Sequence, residues 1–272
     1  MAKRKQLRSD IAWSTPDRIT IKGYDLVRDI LGKLTLGDMA FLQLTDRLPS
    51  PQESAVFNAI AVTLVEHGMT PSAIVARMTY AGAPEAMQSA VAAGLCGLGS
   101  VFVGSMETAA RMLQEALPDP AQSTDLEVIA RHTVQKFHAR KEIIPGIGHH
   151  FHKPVDPRAP RLFEIAEQNG LSGPYVALMR LIAAEAGRIY EKTLPINATG
   201  AIAAIASELK LSWKFVRGIG VFARAIGLVG HIREEMTNPI AREIKARADE
   251  ESSSHLRGGG SRVRFLAASS ST

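Results

Sequence analysis

Cysteine is nearly absent from this sequence. Cys96 is the single cysteine among 272 residues, so the chain cannot form an internal disulfide. Proteins that fold without disulfides are typical of reducing compartments, and we therefore expect a cytoplasmic protein. Aromatic residues are also scarce, at 6%, whereas apolar residues reach 46% and are rich in alanine and leucine. That balance favours helices over strands.

Long apolar runs are missing as well. No uninterrupted stretch approaches the roughly 18 apolar residues of a membrane-spanning helix. The N-terminal Met-Ala-Lys-Arg-Lys-Gln lacks the apolar segment of a signal peptide. Lys and Arg outnumber Asp and Glu by 32 to 27, but both signs are interspersed and no nucleic-acid recognition motif is present. We therefore expect neither a membrane protein nor a nucleic-acid binder.

Hydrophobic spacing predicts helices through most of the chain. In one segment Val56, Ile60 and Leu64 recur every four residues, and comparable spacing marks the others. After a short strand at 17–23, the predicted helices cover residues 24–32, 36–44, 53–67, 85–98, 105–117, 124–137, 161–168, 174–192, 200–209 and 213–233. The last of them carries a stripe of small residues from Gly220 to Gly230, which we expect to let another helix approach closely. The prediction is an all-α fold.

The two ends of the chain differ from its middle. Residues 1–16 are polar and are predicted to form a flexible N-terminus. Residues 251–272 combine serines, arginines and a Gly-Gly-Gly run in a low-complexity sequence. Such a tail is typical of a disordered linker or a cloning remnant. Residues 17–250 are therefore the predicted helical domain, which is long enough to bury a hydrophobic core.

One loop concentrates the residues capable of chemistry. It reads Pro145-Gly-Ile-Gly-His-His-Phe-His-Lys-Pro-Val-Asp-Pro-Arg-Ala159. Its prolines interrupt helices, and Gly146 and Gly148 let the backbone turn and a ligand approach. Histidine exchanges protons near neutral pH, and arginine binds carboxylates with two parallel hydrogen bonds. The loop is therefore a candidate acid/base and anion site.

Two other interpretations of this loop remain open from the residues alone. A basic surface turn with solvated histidines has the same composition, because loops are polar by default. A zinc site built from His149, His150 and His152 is the other. It is disfavoured because adjacent histidines seldom face one ion and no cysteine or glutamate lies at ligand spacing. We therefore predict no metal.

The loop resembles the active-site loop of the citrate synthase superfamily. The shared pattern is Gly-Ile-Gly-His followed by the arginine of Asp-Pro-Arg, and His149 and Arg158 keep the family's separation of nine residues. The resemblance extends from about Ile21 to about Lys245. It implies a multi-helical fold with a large domain and a small one at roughly 120–215. It also implies a homodimer or higher homo-oligomer, since the superfamily's sites lie near a helix-packed interface.

Two further segments carry the resemblance. Glu-His-Gly at 66–68 resembles the Asp-His-Gly or Asp-His-Glu segment whose histidine helps to bind a di- or tricarboxylate, which implies that role for His67. A helix-end histidine meeting free carbonyl groups is the alternative. Ala-Arg-Ala-Ile-Gly at 223–227 is similar to the Ser-Arg-Ala-Leu-Gly segment whose arginine binds a substrate carboxylate. This implies that Arg224 is a carboxylate ligand, the alternative being a surface arginine whose stem packs on apolar neighbours.

The chain departs from the family pattern at two positions. Phe102 stands where citrate synthases have the histidine that stabilises the enol, as a phenylalanine does in the citryl-CoA lyase module of ATP-citrate lyase. This makes Phe102 a candidate substrate contact. Thr199 stands where the family has the aspartate that is the acid/base at carbon. A threonine cannot act as a carboxylate base, and capping a helix that starts at Gly200 is its alternative role.

The resemblance implies an enzyme that breaks or forms a carbon–carbon bond and is most similar to citryl-CoA lyase. Such an enzyme cleaves citryl-CoA, or a related 3-hydroxyacyl-CoA, to acetyl-CoA and an oxoacid such as oxaloacetate. Condensation of the citrate or methylcitrate synthase type is one alternative. A catalytically impaired homologue that binds acyl-CoA is the other.

Roles for the candidate residues follow from the resemblance. His149 is expected to be the acid/base and hydrogen-bond donor at the hydroxyl oxygen, with His67, Arg158 and Arg224 holding the carboxylates. Coenzyme A enters only as part of the substrate, and no tightly bound cofactor is expected. Lys153, with the basic stretch 136–141, is expected to meet the phosphates of coenzyme A beside the glycines of the loop.

Overall fold

The computed structural model describes residues 7–101, 103–122, 125–149 and 152–257, and it is a helical fold with one small sheet. The strands are β1 (Ala12–Thr15), β2 (Arg18–Ile21) and β3 (Tyr24–Asp25). The helices are α1 (Leu36–Thr45), α2 (Pro51–Val65), α3 (Pro71–Gly82), α4 (Met87–Cys96), α5 (Gly104–Ala116), α6 (Leu126–Arg140), α7 (Arg158–Gln168), α8 (Pro174–Tyr190), α9 (Ala198–Glu208), α10 (Trp213–Thr237) and α11 (Ala241–Arg257). The predicted all-α class is confirmed.

The antiparallel sheet precedes the helices. β1 pairs with β2 and β2 with β3, and Lys22 and Gly23 turn the chain with φ angles of 50° and 87°. Residues 12–15 thus belong to a strand, although the sequence pattern placed them in a flexible terminus. The predicted helix at 24–32 is replaced by β3 and a single π-helical turn, Leu26–Ile30. The cause is Asp25, whose carboxylate accepts two backbone amides of that turn and so caps it.

The sequence patterns did not predict two of the helices, α3 and α11. α3 begins after Thr70, whose hydroxyl accepts the Ala73 amide, but its buried face consists largely of small or polar residues that give little apolar signal. α11 is polar along most of its length, so hydrophobic spacing does not reveal it. It continues to Arg257, and the predicted domain end at residue 250 therefore falls inside a helix. The rest of the predicted tail lies outside the described residues.

Helix α10 lies at the centre of the helical core. It contacts α2, α3, α4, α5 and α9. Among the described helices it is the one whose length and mean hydropathy would permit a bilayer crossing. Its buried apolar residues instead face neighbouring helices: Val216, Ile219, Ala223, Leu228 and Ile232. The hydropathy of α10 therefore reflects its central position in this fold.

The small residues of α10 serve contacts within the chain. A side chain at Gly220 would collide with Val103 and Met106, and one at Gly227 would meet the carbonyl oxygen of Val65. Gly230 has open space beside it. Two glycines of the predicted stripe are thus occupied by the chain's own packing.

The loop between α6 and α7 is held against the segment that leads into α9. Ile147 and Ile196 form an isolated antiparallel bridge. The Gly148 amide donates to the Pro195 carbonyl at 2.7 Å, and the Asn197 amide donates to the Gly146 carbonyl at 3.0 Å. This pairing brings together the loop that carries His149 and the segment that carries Thr199, which are more than forty residues apart in sequence.

Candidate active site

The two glycines of the loop have different roles. Gly146 is buried with φ 83°, and a Cβ there would lie 2.6 Å from the Cα of Gly200. The close approach of α9 thus accounts for glycine at this position, and the expected ligand approach at Gly146 is not what requires it. Gly148 has φ 81°, and among the described residues only a methyl group of Leu194 lies within 4 Å of an added Cβ, at 3.9 Å. Its left-handed conformation, and not crowding, is what favours glycine there.

Asn197, which the sequence patterns did not single out, ties the loop to α9. Its Nδ2 donates to the Gly148 carbonyl at 2.7 Å. Its Oδ1 accepts the Gly200 amide at 3.1 Å and the Thr199 hydroxyl at 2.7 Å. Asn197 is the N-cap of α9, which begins at Ala198. The alternative role of Thr199 as the N-cap of a helix starting at Gly200 is therefore wrong.

Thr199 lies in the first turn of α9, partly exposed beside the loop. A threonine hydroxyl has one proton, and here that proton is donated to Asn197. Towards a bound molecule Thr199 therefore presents oxygen lone pairs, not a proton. This geometry leaves the position of the family aspartate without a group that takes a proton from carbon.

His149 is held in one tautomer by the loop itself. Its Nδ1 accepts the backbone amide of His152 at 2.9 Å. Because Nδ1 accepts, the neutral ring carries its proton on Nε2. That N–H is suited to donating a hydrogen bond to an oxygen that becomes negative during a reaction. This arrangement favours the predicted donor role of His149 over a role as the base.

Asp156 joins the arginine of the motif to α9. The carboxylate is fully buried and accepts Arg158 Nε at 2.9 Å and Nη2 at 2.8 Å. It also accepts the Ala198 amide at 2.9 Å, at the start of α9. Burial opposes ionisation, but the hydrogen bonds from Arg158 and the Ala198 and Arg158 amides outweigh it and lower the pKa of Asp156 to about 2. Arg158 is thereby fixed in orientation, with its side chain 29% exposed.

His67 lies close to the loop after the end of α2. Its ring is 6.3 Å from the ring of His152, which is itself 4.6 Å from the ring of His149. Partial desolvation lowers the pKa of His67, although the residue is exposed by surface area, and the positive charges of Arg158 and Arg224 and the nearby His152 lower it further. The neutral form of His67 is therefore favoured in a site that has excess positive charge.

Arg224 is buried, with 9% of its surface exposed. Its Nη1 donates to the Thr70 hydroxyl at 3.3 Å, while its Nε has no hydrogen-bond partner among the described residues. Burial lowers the pKa of Arg224, and the charge of Glu66 opposes that shift. A buried guanidinium with an unsatisfied N–H is costly unless an anion binds there. The alternative of a surface arginine does not fit this burial.

The structure gives less information about the remaining candidate residues. Lys153 is exposed on the loop, where it is accessible to an anion. Phe102 lies outside the described residues. The described histidines form no group of three or more metal-ligating side chains with cysteine, aspartate or glutamate. The site thus brings together four predicted residues: His67, His149, Arg158 and Arg224.

A cavity of about 460 Å³ adjoins the loop on the side of α6 and α8. Its wall includes Ile147, two residues before His149, and two lysines. The lining residues are His138, Lys141, Glu142, Ile143, Ile144, Ile147, Tyr190, Lys192 and Leu194. Its size and its apolar wall with basic residues are suited to a flat, phosphate-bearing group.

Comparison with known proteins agrees with this geometry. The sequence model of the family described as "Citrate synthase, C-terminal domain" matches residues 18–247. The citryl-CoA lyase of Hydrogenobacter thermophilus has a similar structure, with a TM-score of 0.81 and 33% identity over 97% of this chain and 98% of that one. The ATP citrate lyase of Methanothrix soehngenii, solved with citrate and coenzyme A, gives a TM-score of 0.73. Its identity is 20%, over 87% of this chain and 40% of that one, so it supports the fold alone.

Curated relatives are longer proteins. The citrate synthase of Synechocystis sp. is 32% identical over 138 residues, which is 50% of this chain and 32% of that protein. A probable ATP-citrate synthase of Dictyostelium discoideum is 22% identical over 253 residues, 87% of this chain and 39% of that protein. The chain therefore spans 32% to 39% of the length of the curated relatives it matches.

Proposed function

Since this chain belongs to the citrate synthase family, we propose that it is a citryl-CoA lyase-like enzyme. It cleaves citryl-CoA, or a related 3-hydroxyacyl-CoA, to acetyl-CoA and an oxoacid such as oxaloacetate. The observation that carries the proposal is the convergence of Arg158, Arg224 and His67 on the loop that bears His149. Two arginines, one of them buried with an unsatisfied N–H, provide a site for a molecule with several carboxylates.

Cleavage requires the tertiary hydroxyl to lose its proton while the bond between its carbon and the adjacent methylene breaks. The bonding electrons pass to the methylene carbon, which gives oxaloacetate and the enolate of acetyl-CoA. Water accepts the hydroxyl proton, and water then supplies a proton to the enolate carbon to give acetyl-CoA, so that atoms and charge balance. The Nε2–H of His149 stabilises the negative charge on the hydroxyl oxygen as it becomes the ketone oxygen.

The absence of a carboxylate at position 199 supports cleavage over condensation. Condensation needs a base strong enough to remove a proton from the acetyl methyl group, whereas the enolate formed in cleavage is basic enough to take a proton from water. Asp156 does not replace the missing base, because it is fully buried and both of its oxygens accept hydrogen bonds from Arg158.

The coenzyme A portion is expected to enter the cavity beside Ile147. Ring stacking and apolar contacts there suit an adenine, and Lys141 and Lys192 at its wall suit the phosphates. Lys153, on the same loop as His149, is the other candidate for a phosphate contact. The thioester end of the molecule then reaches the imidazole of His149 along the loop.

Turnover of citryl-CoA tests the proposal. Purified protein is mixed with citryl-CoA, and oxaloacetate release is followed by its reduction with NADH and malate dehydrogenase. We expect catalytic release that depends on His149 and is inhibited by citrate, with acetyl-CoA formed in equal amount. A protein that binds citryl-CoA but releases no oxaloacetate over many minutes would contradict the proposal.

A catalytically impaired acyl-CoA-binding homologue is the second candidate. Thr199 is the observation that favours it, since its hydroxyl proton is donated to Asn197 and no carboxylate occupies its place. Binding of acyl-CoA without turnover of citryl-CoA, and without condensation of acetyl-CoA and oxaloacetate, would support this alternative.

We further propose that the protein acts as a cytoplasmic homodimer.

A further inference from the structure

A buried network lies behind the carboxylate site and is not used by the reaction described above. Arg77 of α3 is 1% exposed, and its guanidinium donates to three side chains of α10. Nε donates to His231 Nδ1 at 3.1 Å, and Nη1 donates to Glu235 at 2.9 Å. Nη2 is paired with Glu234. Arg77 therefore holds just over one turn of α10 against α3.

The contact with Arg77 determines which nitrogen of His231 carries the proton. Because Nδ1 accepts from Arg77, the neutral ring has its proton on Nε2. Nε2 lies 3.0 Å from Oε1 of Glu66, which is an ion-pair distance, although the N–H is not aligned for a hydrogen bond, and the His231 side chain is 10% exposed. The imidazole thus connects a buried arginine to a carboxylate at the edge of the active site.

Glu66 adjoins two of the carboxylate-site residues. Its Oε1 accepts the backbone amide of His67 at 2.8 Å. Its charge acts on Arg224, whose pKa it raises against the effect of burial. Burial opposes ionisation of Glu66, but His231, the His67 amide and the charge of Arg224 together lower its pKa. Glu66 is thus held ionised between His231 and the site.

The packing of α10 leaves room for this carboxylate. A Cβ at Gly227 would lie 2.9 Å from Oε2 of Glu66 and 2.0 Å from the carbonyl oxygen of Val65. Glycine at this position therefore lets the end of α2 approach α10 directly. The same helix carries Arg224 one turn before Gly227 and His231 one turn after it. Glu66 consequently lies alongside the stretch of α10 that presents both side chains.

We propose that Arg77, His231 and Glu66 form a positioning chain for the carboxylate site, an inference that rests on the proposed function. In this chain Arg77 fixes the tautomer of His231, and His231 fixes the carboxylate of Glu66. Glu66 in turn fixes the backbone of His67 and balances the buried charge of Arg224. None of the three needs to touch the substrate. Their effect is on the affinity for its carboxylates.

The network has a second end at the C-terminal helix. Oε1 of Glu235 accepts the amides of Ile240 and Ala241 at 2.9 and 2.8 Å, at the start of α11. Arg77 therefore also supports the residue that starts α11. A substitution of Arg77 would therefore disturb both the contact with His231 and the start of α11. A substitution of His231 affects only the first, so His231 is the better position for a test.

The test compares His231→Leu with His231→Gln. Glutamine keeps an acceptor for Arg77 and a donor for Glu66, whereas leucine has neither. Binding of citrate by calorimetry is the first readout, because it requires no turnover. We expect the leucine variant to bind citrate about tenfold more weakly, equivalent to about 1.4 kcal/mol, and the glutamine variant to stay within about threefold of wild type. His132→Gln, on the exposed surface of α6, is the matched control and should bind as wild type does.

A second readout separates positioning from general stability. In a Glu66→Ala background the chain is already interrupted, so His231→Leu should cause no further loss of citrate affinity. In the ligand-free protein, His231→Leu should accelerate hydrogen exchange of the His67 amide, and His231→Gln should not. If leucine at 231 prevents folding, Glu66→Ala alone takes its place, since that side chain is 43% exposed, and it should also weaken citrate binding about tenfold.

Three results would overturn the positioning chain. They are wild-type affinity in a folded His231→Leu or Glu66→Ala variant, an equal loss in the leucine and glutamine variants, and additive losses in the double variant. A failure of the proposed function gives a different result: the wild-type protein itself neither cleaves citryl-CoA nor binds citrate. In that case the exchange rate of the His67 amide still reports whether His231 orders Glu66, and unchanged exchange rejects the chain as well.

Discussion

Arg158 is held by Asp156 through two parallel hydrogen bonds, from Nε at 2.9 Å and from Nη2 at 2.8 Å. The two residues are separated only by one residue of the motif, and the same carboxylate accepts the first amide of α9. The pair therefore fixes Arg158, which we propose to bind a substrate carboxylate, and the start of the helix that carries Thr199. The buried carboxylate of Asp156 therefore joins the loop to α9.

Asp156→Asn should destabilise the protein by roughly 2 kcal/mol at neutral pH, the scale of a lost charge-assisted hydrogen bond. The pKa of Asp156 in the folded protein, about 2, lies below its ordinary value of 3.8. Its contribution to stability is therefore complete above about pH 4 and is lost as the pH falls towards 2. Urea unfolding of the wild type and the variant between pH 7 and pH 2 measures the free energy of unfolding. Below pH 4 the variant should lose less of that free energy than the wild type does.

Glu164→Gln is the matched control for that experiment. Glu164 pairs with Arg161 on the surface of α7, with side chains 54% and 61% exposed. Exposed ion pairs contribute little to stability, so Glu164→Gln should change the free energy of unfolding by no more than about 0.5 kcal/mol. Equal effects of the two substitutions would mean that the burial of Asp156 adds nothing to its pair with Arg158.

Citrate binding should raise the pKa of His67. Burial lowers that pKa in the ligand-free protein, and the positive charges of Arg158 and Arg224 add to the effect. Carboxylates bound between the arginines offset part of that positive charge, so the protonated imidazole becomes less unfavourable. Titration of the ring by NMR, with and without citrate, measures the shift, and His67→Gln identifies the signal. An unchanged or lower pKa would place the carboxylates elsewhere.

His149→Ala should lower the turnover number for citryl-CoA at least about 100-fold, the scale of a lost hydrogen-bond donor or acid/base group. The Michaelis constant should change little, because the carboxylates and the coenzyme A portion keep their contacts. Steady-state oxaloacetate release measures both constants, with His132→Ala on exposed α6 as the control. Activity within a few-fold of wild type would remove His149 from the reaction.

Some of the site could be predicted from the sequence because its residues are contiguous. His149 and Arg158 lie in one motif, and the resemblance of that motif to the citrate synthase loop made them candidates. Asn197 and Asp156 could not be identified as linking residues, since Asp156 meets the Ala198 amide 42 positions away. Their chemistry depends on how α9 packs against the loop, and local patterns do not specify such packing.

The helices show the same limit. Apolar spacing predicted α2, α5, α8 and α10 close to their observed bounds, because each buries a continuous apolar face. α3 lacks that signal, since Arg77 and Ser72 are among its buried residues. Arg77 is accommodated by partners on α10 more than 150 positions away. A buried charge of this kind is understandable only with the tertiary structure.

A dimer is expected in solution from the family resemblance. The small-residue stripe of α10 does not add support for a dimer, because Gly220 and Gly227 pack against the chain's own residues. Light scattering coupled to size exclusion should give a mass of two chains at micromolar concentration. A dilution series from that concentration downwards distinguishes a stable dimer from transient association. The mass of a single chain throughout would contradict the expectation.

Thr199→Asp should restore a base at the position where the family has one. The first turn of α9 tolerates a negative charge because free backbone amides and the helix dipole favour it there. We expect the variant to exchange the methyl protons of acetyl-CoA with deuterated solvent at least about tenfold faster than wild type, consistent with carboxylate general-base help. Thr199→Asn has the same shape without the charge and should not accelerate exchange.

The comparison of these two variants separates the base from the local hydrogen bonds. Both substitutions remove the hydroxyl that donates to Asn197, so any shared effect reports the cap of α9 and not the chemistry. An effect confined to the aspartate variant reports proton removal from carbon. If wild type already condenses acetyl-CoA with oxaloacetate at an ordinary enzymatic rate, on the order of 10 per second, another group is the base. In that case Thr199→Asp should add nothing, and the preference for cleavage proposed for this chain would be wrong.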